Sequence, residues 1–371
     1  MLGIVVLLAG LVVALPPARD VYIVVTTDAE QASAVADRHG VAVRQTYRHA
    51  LHGFSASLTE AQAGAILHDP RVAYVQRSVV HRTTDTQTDP PSWGLDRVDQ
   101  RALPLDASYT YPNGAASVHA YVIDTGVRTT HADFGGRATS GYDAIDGGAA
   151  DDCHGHGTHV AGTIAGTAHG VAKQAQVVAV RVLDCAGSGT TETVLAGVDW
   201  VTANAVYPAV ANMSLGGGPD PALEDGLRRS IAGGITYAVS AGNGSGGQPL
   251  DACDQSPARL AEALTVSATD RTDNRPQWAN VGTCVDVFAP GVAITSAWGA
   301  ADDAVQTLTG TSMAAPHVAG AAALYLEANP AALPAAVATA LLNAATPDLV
   351  PNPLEGTPNR LLYVGEALPP C

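Results

Sequence analysis

The residues best suited to chemistry are Asp124, His156 and Ser312, and each of them stands among glycines. Asp124 begins an Asp-Thr-Gly run, His156 lies in Gly-His-Gly-Thr-His, and Ser312 lies in Gly-Thr-Ser-Met-Ala-Ala-Pro. A hydroxyl nucleophile, an imidazole base and a carboxylate that fixes the imidazole tautomer are the three groups that acyl transfer needs. An aspartic protease also uses Asp-Thr-Gly, but the sequence has no second such motif to complete that dyad. The three motifs together therefore predict a serine nucleophile.

Strands that alternate with helices are predicted to position these residues. Short apolar runs that indicate buried strands lie at residues 118–123, 177–183, 210–215, 235–240 and 264–268. Helical stretches lie at residues 157–165, 190–205 and 221–232. This alternation predicts an α/β fold with a parallel sheet buried on both faces. Active residues of such sheets lie at the carboxyl ends of strands and at helix starts, where these three residues are expected.

A small module precedes this domain. Residues 21–25, 47–58 and 72–75 have the pattern of strands, and residues 29–39 and 59–67 have that of helices. These three strands and two helices are one strand short of βαββαβ, the order of the ferredoxin-like α+β fold that we assign to the module. The polar stretch 83–91 has no periodicity and is expected to be a linker, where proteolysis concentrates. The sequence thus predicts one domain over residues 18–85 and another over residues 86–371.

The first residues are predicted to be an export signal. Residues 2–15 are apolar apart from two glycines, and two prolines follow them. This run is too short to cross a bilayer as a helix and has the length of a signal-peptide core. We therefore expect a signal peptide at residues 1–17, a secreted, extracellular protein and no stable membrane anchor. No Lys or Arg precedes the run, and retention in a membrane through residues 2–15 is the alternative.

Composition and charge exclude several classes of protein. Of the 371 residues, 47% are hydrophobic and 15% charged, which excludes a disordered or fibrous chain. The net charge is −16 and Lys173 is the single lysine, so nucleic acid is not an expected partner. Residues 19–85 carry seven basic and seven acidic residues, whereas residues 86–371 carry 12 basic and 28 acidic residues. All of the surplus negative charge lies in the second domain, where it provides solubility or binds a metal.

The motifs resemble those of the subtilisin-like serine proteases, and of the proteinase K and aqualysin-like branch in particular. The resemblance extends from residue 20 to about residue 365, and Asp, His and Ser follow in the order found in subtilisin. Residues 47–58 and 69–75 resemble the inhibitory I9-type propeptide of this family. The resemblance implies a subtilisin-like three-layer α/β fold with a mainly parallel central sheet, preceded by the small ferredoxin-like propeptide domain.

The resemblance also assigns roles to residues. Ser312 is the nucleophile, His156 the general base and then acid, and Asp124 the carboxylate that orients the imidazole. Asn243 matches the side chain that donates to the oxyanion. A peptide is expected to lie as an added strand between two segments, with one side chain in a pocket whose uncharged walls predict broad, apolar-leaning specificity. The residues of these segments and walls are Gly187, Ser188, Gly189, Ser214, Leu215, Gly216, Ser240, Ala241 and Gly242.

Five cysteines are enough for two disulfides with one residue left over. Four cysteines allow three pairings, so spacing alone does not decide the connectivity. A zinc site is the alternative, although the sequence has no Cys-x-x-Cys motif. The resemblance implies the pairs Cys153–Cys185 and Cys253–Cys284, with Cys371 as the odd residue. In the chain-entropy model each bridge stabilises the fold by roughly 3–4 kcal/mol.

Structural calcium is the expected cofactor. A compact cluster of oxygen-bearing side chains is formed by Asp96, Asp99, Gln100 and Asp106. Three carboxylates and an amide suit Ca²⁺, and the same cluster binds calcium in the relatives that the chain resembles. The alternative is a solvated turn whose carboxylates are balanced by neighbouring arginines.

Two further calcium sites are implied by the resemblance. Asp286 and the carbonyl oxygens of Ala261 and Ala263 match the strong site of proteinase K. Asp143 and Asp146 resemble part of another site, whose last aspartate is missing from this sequence.

The sequence thus predicts a secreted, calcium-stabilised serine endopeptidase that is made as a self-processing proenzyme. It would cleave protein and peptide substrates through an acyl-enzyme as a monomer. Its own propeptide would act as folding template and inhibitor and would be removed by a cut near residues 82–88. A catalytically inactive binding or inhibitor protein with the same fold is the alternative, which the intact Asp124, His156, Ser312 and Asn243 disfavour.

Overall fold

Two units make up the chain, Met1–His81 and Arg82–Cys371. The structure, a computed structural model, describes residues 19–28, 30–78 and 85–365 of them. The predicted signal peptide at residues 1–17 and the odd Cys371 lie outside these described residues. Within the described ranges, no helix combines the length and the apolar character that crossing a membrane requires.

The first unit is a four-stranded antiparallel sheet with two helices. Its elements are β1 (Asp20–Thr26), α1 (Gln31–His39), β2 (Val43–Tyr47), β3 (Gly53–Leu58), α2 (Glu60–Leu67) and β4 (Val72–Arg77). The strands lie in the order β2-β3-β1-β4, and the helices bury Val35 and Ile66 in one core with Phe54. This is the predicted βαββαβ order. The single strand predicted over residues 47–58 is wrong, because residues 48–52 connect two strands of a hairpin.

The second unit is built on a nine-stranded, mainly parallel sheet, as predicted. The strands of the unit are β5 (Asp85–Thr88), β6 (Ser108–Tyr111), β7 (His119–Asp124), β8 (Ala138–Asp143), β9 (Gln176–Arg181), β10 (Ala209–Met213), β11 (Thr236–Ser240), β12 (Leu264–Thr269), β13 (Val287–Pro290), β14 (Ile294–Ala297), β15 (Val305–Leu308), β16 (Thr346–Pro347) and β17 (Arg360–Leu361). The order in the nine-stranded sheet is β16-β17-β13-β12-β11-β10-β7-β9-β8, and only the pairing of β16 with β17 is antiparallel. The five predicted strands correspond to β7, β9, β10, β11 and β12.

Helices cover both faces of this sheet. They are α3 (Trp93–Val98), α4 (His156–Ala165), α5 (Thr191–Asn204), α6 (Pro221–Ala232), α7 (Thr311–Ala328) and α8 (Pro334–Ala344). Successive side chains of a strand point to opposite faces. Along β7, Ala120 and Val122 therefore enter the core shared with α4 and α7, whereas Tyr121 and Ile123 enter the core shared with α5 and α6. Burial on both faces explains the continuous apolar runs of the central strands.

Part of the segment predicted to be a linker is a strand. β5 pairs with β6, with the hydroxyls of Thr86 and Thr110 2.9 Å apart, and Gln87 Nε2 donates to Ala168 O at 3.0 Å. The expectation of an unpaired linker is thus wrong for residues 85–88. The predicted domain boundary after residue 85 falls inside β5, whereas the two units divide after His81.

The single lysine of the chain is buried in the second unit. Lys173 is 7% exposed, and its ammonium donates to the carbonyl oxygens of Thr167, Ala168 and Gly170 at 3.1–3.4 Å. It also lies 5.2 Å from the ring centre of Tyr109. Burial lowers the pKa of Lys173 to about 8. Carbonyl dipoles and an aromatic face thus replace the water that a buried charge loses.

Two disulfides join loops of the second unit. Cys153 pairs with Cys185 across 32 residues, and Cys253 pairs with Cys284 across 31 residues. These are the pairs that the resemblance implied, and they leave none of these four thiols for the alternative zinc site. The first bridge ties the loop before α4 to the loop after β9.

Candidate active site

Asp124 and His156 meet at the carboxyl edge of the sheet. Asp124 is the last residue of β7 and His156 is the first residue of α4. His156 Nδ1 lies 2.7 Å from Asp124 Oδ1, which also accepts a 2.7 Å bond from the N–H of Thr125. Asp124 is fully buried, and its other oxygen has no hydrogen-bond partner among the described residues. The negative charge of Asp124 is therefore directed at the imidazole.

The pKa of His156 reflects two opposing effects. Burial alone would lower it, but the charge of Asp124, the hydrogen bond to Asp124 and the charge of Asp152 raise it. The net result is a pKa above the ordinary value of 6.5. An imidazole with a raised pKa is a stronger base, which suits removal of a proton from a hydroxyl.

Glycines let α4 begin close to the strand end. Gly155 has φ +107°, and a Cβ on it would lie 2.5 Å from the ring of Trp298. A Cβ on Gly157 would lie 2.1 Å from the carbonyl oxygen of Gly126. Residues with side chains would force α4 away from β7, and His156 could then not reach Asp124.

Asp152 holds this loop in place. Its carboxylate accepts hydrogen bonds of 2.6–3.0 Å from the hydroxyl of Thr125, the N–H groups of His154 and Gly155, and both the N–H and the hydroxyl of Thr158. It thereby links the end of β7 to the first turn of α4, whose N-cap glycine has no side chain. Sequence analysis missed this residue, although an aspartate just before a helix is a capping signal.

Ser312 is the second residue of α7, in the same cleft as His156. Its hydroxyl donates to Ser214 O at 3.1 Å and not to the imidazole of His156. Pro316 lacks the N–H that would bond to Ser312 O within the helix. That carbonyl instead accepts a 2.8 Å bond from the hydroxyl of Ser214. Ser312 and the Ser214 segment are thus joined by two reciprocal bonds.

Asn243 has a fixed orientation beside Ser312. Its Oδ1 accepts from the N–H of Thr311 at 3.0 Å and from the hydroxyl of Thr311 at 3.1 Å. Its NH₂ group therefore points away from Thr311. The N–H of Ser312 belongs to the first turn of α7, where no carbonyl of the helix can accept it. Two donors are thus available for an anionic oxygen.

A cleft of about 1050 Å³ contains these groups. It is lined by His156, Asn243, Ser312 and all nine residues predicted to bind substrate. The two predicted pocket walls touch where Ser240 Oγ donates to Leu215 O at 3.4 Å. Sequence analysis did not identify the other side chains of the lining, which include Thr191, Val194, Leu223, Gln255, Ser256, Ala258 and the ionisable His154 and Asp220.

The expected calcium ligands contain unpaired oxygens. Asp99 Oδ1 and Gln100 Oε1 are buried without a hydrogen-bond partner among the described residues. Burial, followed by the charges of Asp106 and Asp96, raises the pKa of Asp99 to about 7. Asp96 instead accepts from the N–H groups of Asp106 and Ala107. Nevertheless, no group of three or more His, Cys, Asp or Glu in the described ranges is arranged to hold a metal ion.

The other two expected calcium sites differ in whether an arginine already pairs with their carboxylates. Burial raises the pKa of Asp286 to about 6, and its carboxylate accepts from the N–H of Thr265 at 2.8 Å. Asp143 and Asp146 are each 3.0 Å from the guanidinium of Arg181. An internal cation is thus already paired with both carboxylates that resembled part of a calcium site.

Comparisons with known proteins agree with this geometry. Residues 118–361 match the family described as "Subtilase family", and residues 21–84 match "Peptidase inhibitor I9". An "Extracellular serine proteinase" of Thermus sp. (strain Rt41A) is 52% identical over 87% of this chain and 78% of the relative. "Alkaline serine exoprotease A" of Vibrio alginolyticus is 47% identical over 88% of this chain and 61% of the relative.

A solved structure is similar as well. A cold-adapted subtilisin-like serine proteinase is 51% identical and superposes with a TM-score of 0.71. The match covers 73% of this chain and 97% of that protein.

Proposed function

The chain belongs to the subtilase family and is a serine-type endopeptidase, and from this premise we propose that Ser312, His156 and Asp124 are its catalytic triad. One observation carries the assignment, which is the 2.7 Å bond between buried Asp124 and His156 in the cleft that Ser312 lines. The bond holds the imidazole proton on Nδ1 and leaves Nε2 free to accept the proton of Ser312. The hydroxyl of Ser312 must turn from Ser214 O to His156 as substrate binds, because catalytic hydrogen bonds often form only in the complex.

The reaction then proceeds through an acyl-enzyme. Ser312 Oγ attacks the peptide carbonyl carbon while His156 takes the hydroxyl proton. The carbonyl oxygen becomes an anion that accepts from Asn243 Nδ2 and from the N–H of Ser312. His156 gives its proton to the leaving amine, and a water molecule repeats the sequence to release the acid and regenerate Ser312.

We infer broad, apolar-leaning specificity for the side chain next to the bond that is cut. The walls formed by residues 214–216 and 240–242 carry no charge. Main-chain pairing of the substrate with residues 187–189 and 214–216 would supply affinity with little demand on sequence.

We propose further that the enzyme is secreted as a proenzyme. The match of residues 21–84 to a peptidase inhibitor supports an inhibitory propeptide, and the apolar run at residues 2–15 supports export. Maturation would cut the chain ahead of β5, because a bond inside the paired strand is less accessible to a cleft that takes extended peptides. The mature enzyme is proposed to act as a monomer.

Calcium is proposed as a structural cofactor. The unpaired oxygens of Asp99 and Gln100, with Asp96 and Asp106 beside them, fit a hard cation that prefers oxygen ligands. Asp286 with the carbonyl oxygens of Ala261 and Ala263 would hold a second ion. When bound, calcium neutralises buried carboxylates and takes no part in the peptide-bond chemistry.

The proposed function is tested by replacing the nucleophile. Wild-type protein, Ser312→Ala and a control, Ser117→Ala, are expressed with the full chain. Ser117 is exposed and bonds to Glu327, outside the cleft. We expect wild type and Ser117→Ala to be cut ahead of β5 and to react with a serine-directed fluorophosphonate. Ser312→Ala should remain uncut and unlabelled.

Intact mass and the N-terminal residue of each product are the measurements. Equal processing of Ser312→Ala would refute self-cleavage. A folded, propeptide-free wild type that takes no label would instead favour the catalytically inactive binding protein. A mature exported form that retains residues 2–15 would contradict a cleaved signal peptide.

A further inference from the structure

His154 is an ionisable residue of the cleft that the proposed mechanism does not use. It is exposed, lines the cleft and stands two residues before His156. Its ring centre lies 6.3 Å from that of His156. If the cleft binds peptides as the proposed function requires, His154 bears on which substrates it prefers.

The His154 ring is held on two sides. It packs edge to face on Trp298, with ring centres 6.5 Å apart and planes at 61°. Its Nδ1 accepts the backbone N–H of His156 at 3.3 Å. Its own backbone N–H donates to Asp152 at 3.0 Å. The side chain is therefore directed by the same loop that positions the catalytic imidazole.

These contacts determine which ring nitrogen carries the proton. Because Nδ1 accepts a hydrogen bond, the neutral imidazole has its proton on Nε2. Nε2 faces Gly187, where a Cβ would lie 3.3 Å away. No protein acceptor lies within hydrogen-bond distance of Nε2 in the described part of the chain. His154 thus presents a free N–H at the segment where a peptide is proposed to pair.

The alternation of side chains along an extended peptide identifies the substrate residue that this N–H would meet. The residue before the cleaved bond places its side chain between the walls of residues 214–216 and 240–242. The preceding residue must then point to the opposite side of the peptide. His156, His154 and Gly187 line the cleft without belonging to either wall, and we assign them to that side.

We propose that His154 is a specificity-determining residue that donates its Nε2–H to a carboxylate or carboxamide on the second substrate residue before the cleaved bond. The preferred substrate residue at this position has a short side chain that ends in a hydrogen-bond acceptor. An apolar side chain of the same size would leave the N–H unpaired once water is displaced.

The experiment uses three peptide substrates that differ only at this second residue, which is Asp, Asn or Leu. These side chains have nearly the same shape, so the comparison isolates the acceptor. We expect the mature wild type to show kcat/KM for Asn and Asp about three- to tenfold above Leu. His154→Phe keeps the ring against Trp298 and should abolish this preference.

His119→Phe is the matched control. His119 begins β7, at the end of the strand opposite Asp124, and should keep the wild-type ratios. If His154→Phe does not fold, His154→Asn replaces it, because its carbonyl can still accept from His156 while its amide is too short to reach the position of Nε2. Ratios of kcat/KM cancel differences in the amount of active enzyme.

Equal ratios in wild type and the His154 variant, or a wild-type preference for Leu, would overturn the inference. A wild type that cleaves none of the three peptides, nor any protein, would overturn the proposed function itself. Activity with ratios near one would leave the proposed function intact and refute only the role of His154.

Discussion

At the scale of single residues, the active site is organised around one buried charge. Asp124 is fully buried, and one of its oxygens has no partner among the described residues. Burying a carboxylate is costly unless the charge is compensated. Here the compensation comes from His156, whose pKa is raised in return. The cost of burying Asp124 is therefore linked directly to the basicity of the His156 imidazole, the proposed catalytic base.

Asp124→Asn is expected to lower kcat/KM by about 10⁴-fold, a magnitude measured on other serine proteases. His156 must be neutral to accept a proton, so activity falls when the pH drops below its pKa. That acidic limb should lie above pH 6.5 in wild type and move to lower pH in the variant, because the charge that raises the pKa is removed. The measurement is kcat/KM against pH with a chromogenic peptide. If the acidic limb does not move in the variant, a group other than His156 causes it.

The residues of the proposed triad could be singled out because each lies in a short motif whose chemistry is visible in the sequence. The partners of Ser312 could not. Ser214 reaches it across 98 residues, and the free carbonyl that makes this contact possible follows from Pro316. Asn243 could be identified from the resemblance, but its orientation depends on Thr311, which only the folded chain places beside it.

At the scale of elements, the position of His156 relative to Asp124 depends most on how α4 begins. Its cap is supplied by Asp152, four residues before the helix, since Gly155 has no side chain to offer. The same carboxylate bonds to Thr125 at the end of β7. Asp152 therefore bonds to both the strand end and the first turn of the helix.

Asp152→Asn should lower kcat/KM by up to about 10²-fold, because a small displacement of α4 misplaces His156. The acidic limb should also move to lower pH, since the charge of Asp152 contributes to the raised pKa of His156. Asp151→Asn is the control. Asp151 is exposed, and this substitution removes the same negative charge one residue away from Asp152. Both profiles are measured with one peptide. Similar profiles for the two variants would show that Asp152 acts through bulk charge alone.

Elements with a continuous apolar pattern were predicted, and those without one were missed. Central strands such as β10 are buried at every residue. The edge strand β8 alternates irregularly between buried and exposed residues and has a register shift near Ser140. β5 consists of Asp, Thr and Gln, so nothing apolar marks it. The strand predicted over residues 47–58 leaves out nearly all of β2, which has no apolar pattern because it is almost wholly exposed.

At the scale of the whole molecule, negative charge is concentrated in the catalytic unit. Residues 86–371 carry 12 basic and 28 acidic residues. Some of this charge is paired inside the fold, as at Arg181 with Asp143. Asp99 and Asp286 are half-buried without a cationic side chain bonded to them in the described part of the chain, and partial burial raises the pKa of both. These carboxylates are the places where a bound cation would stabilise the fold most.

Removing calcium should lower Tm by about 5–10 °C, because a ligand that binds only the folded state stabilises it by mass action. The full chain with Ser312→Ala is used so that self-digestion does not obscure unfolding. Calorimetry with calcium and with a chelator gives the difference. This difference in Tm should become smaller when Asp99→Asn is added. It should stay unchanged when Asp303→Asn, a substitution of an exposed residue, is added instead. No effect of the chelator would refute structural calcium.

The burial of Lys173 has a consequence for labelling chemistry. Amine-acylating reagents need an unprotonated amine that they can reach, and the only lysine is 7% exposed with its ammonium on three carbonyl oxygens. The α-amino group at the start of the chain is then the one amine that such a dye modifies in the folded protein. Each molecule would carry a single tag, and the residue that bears it would record where the chain was last cut.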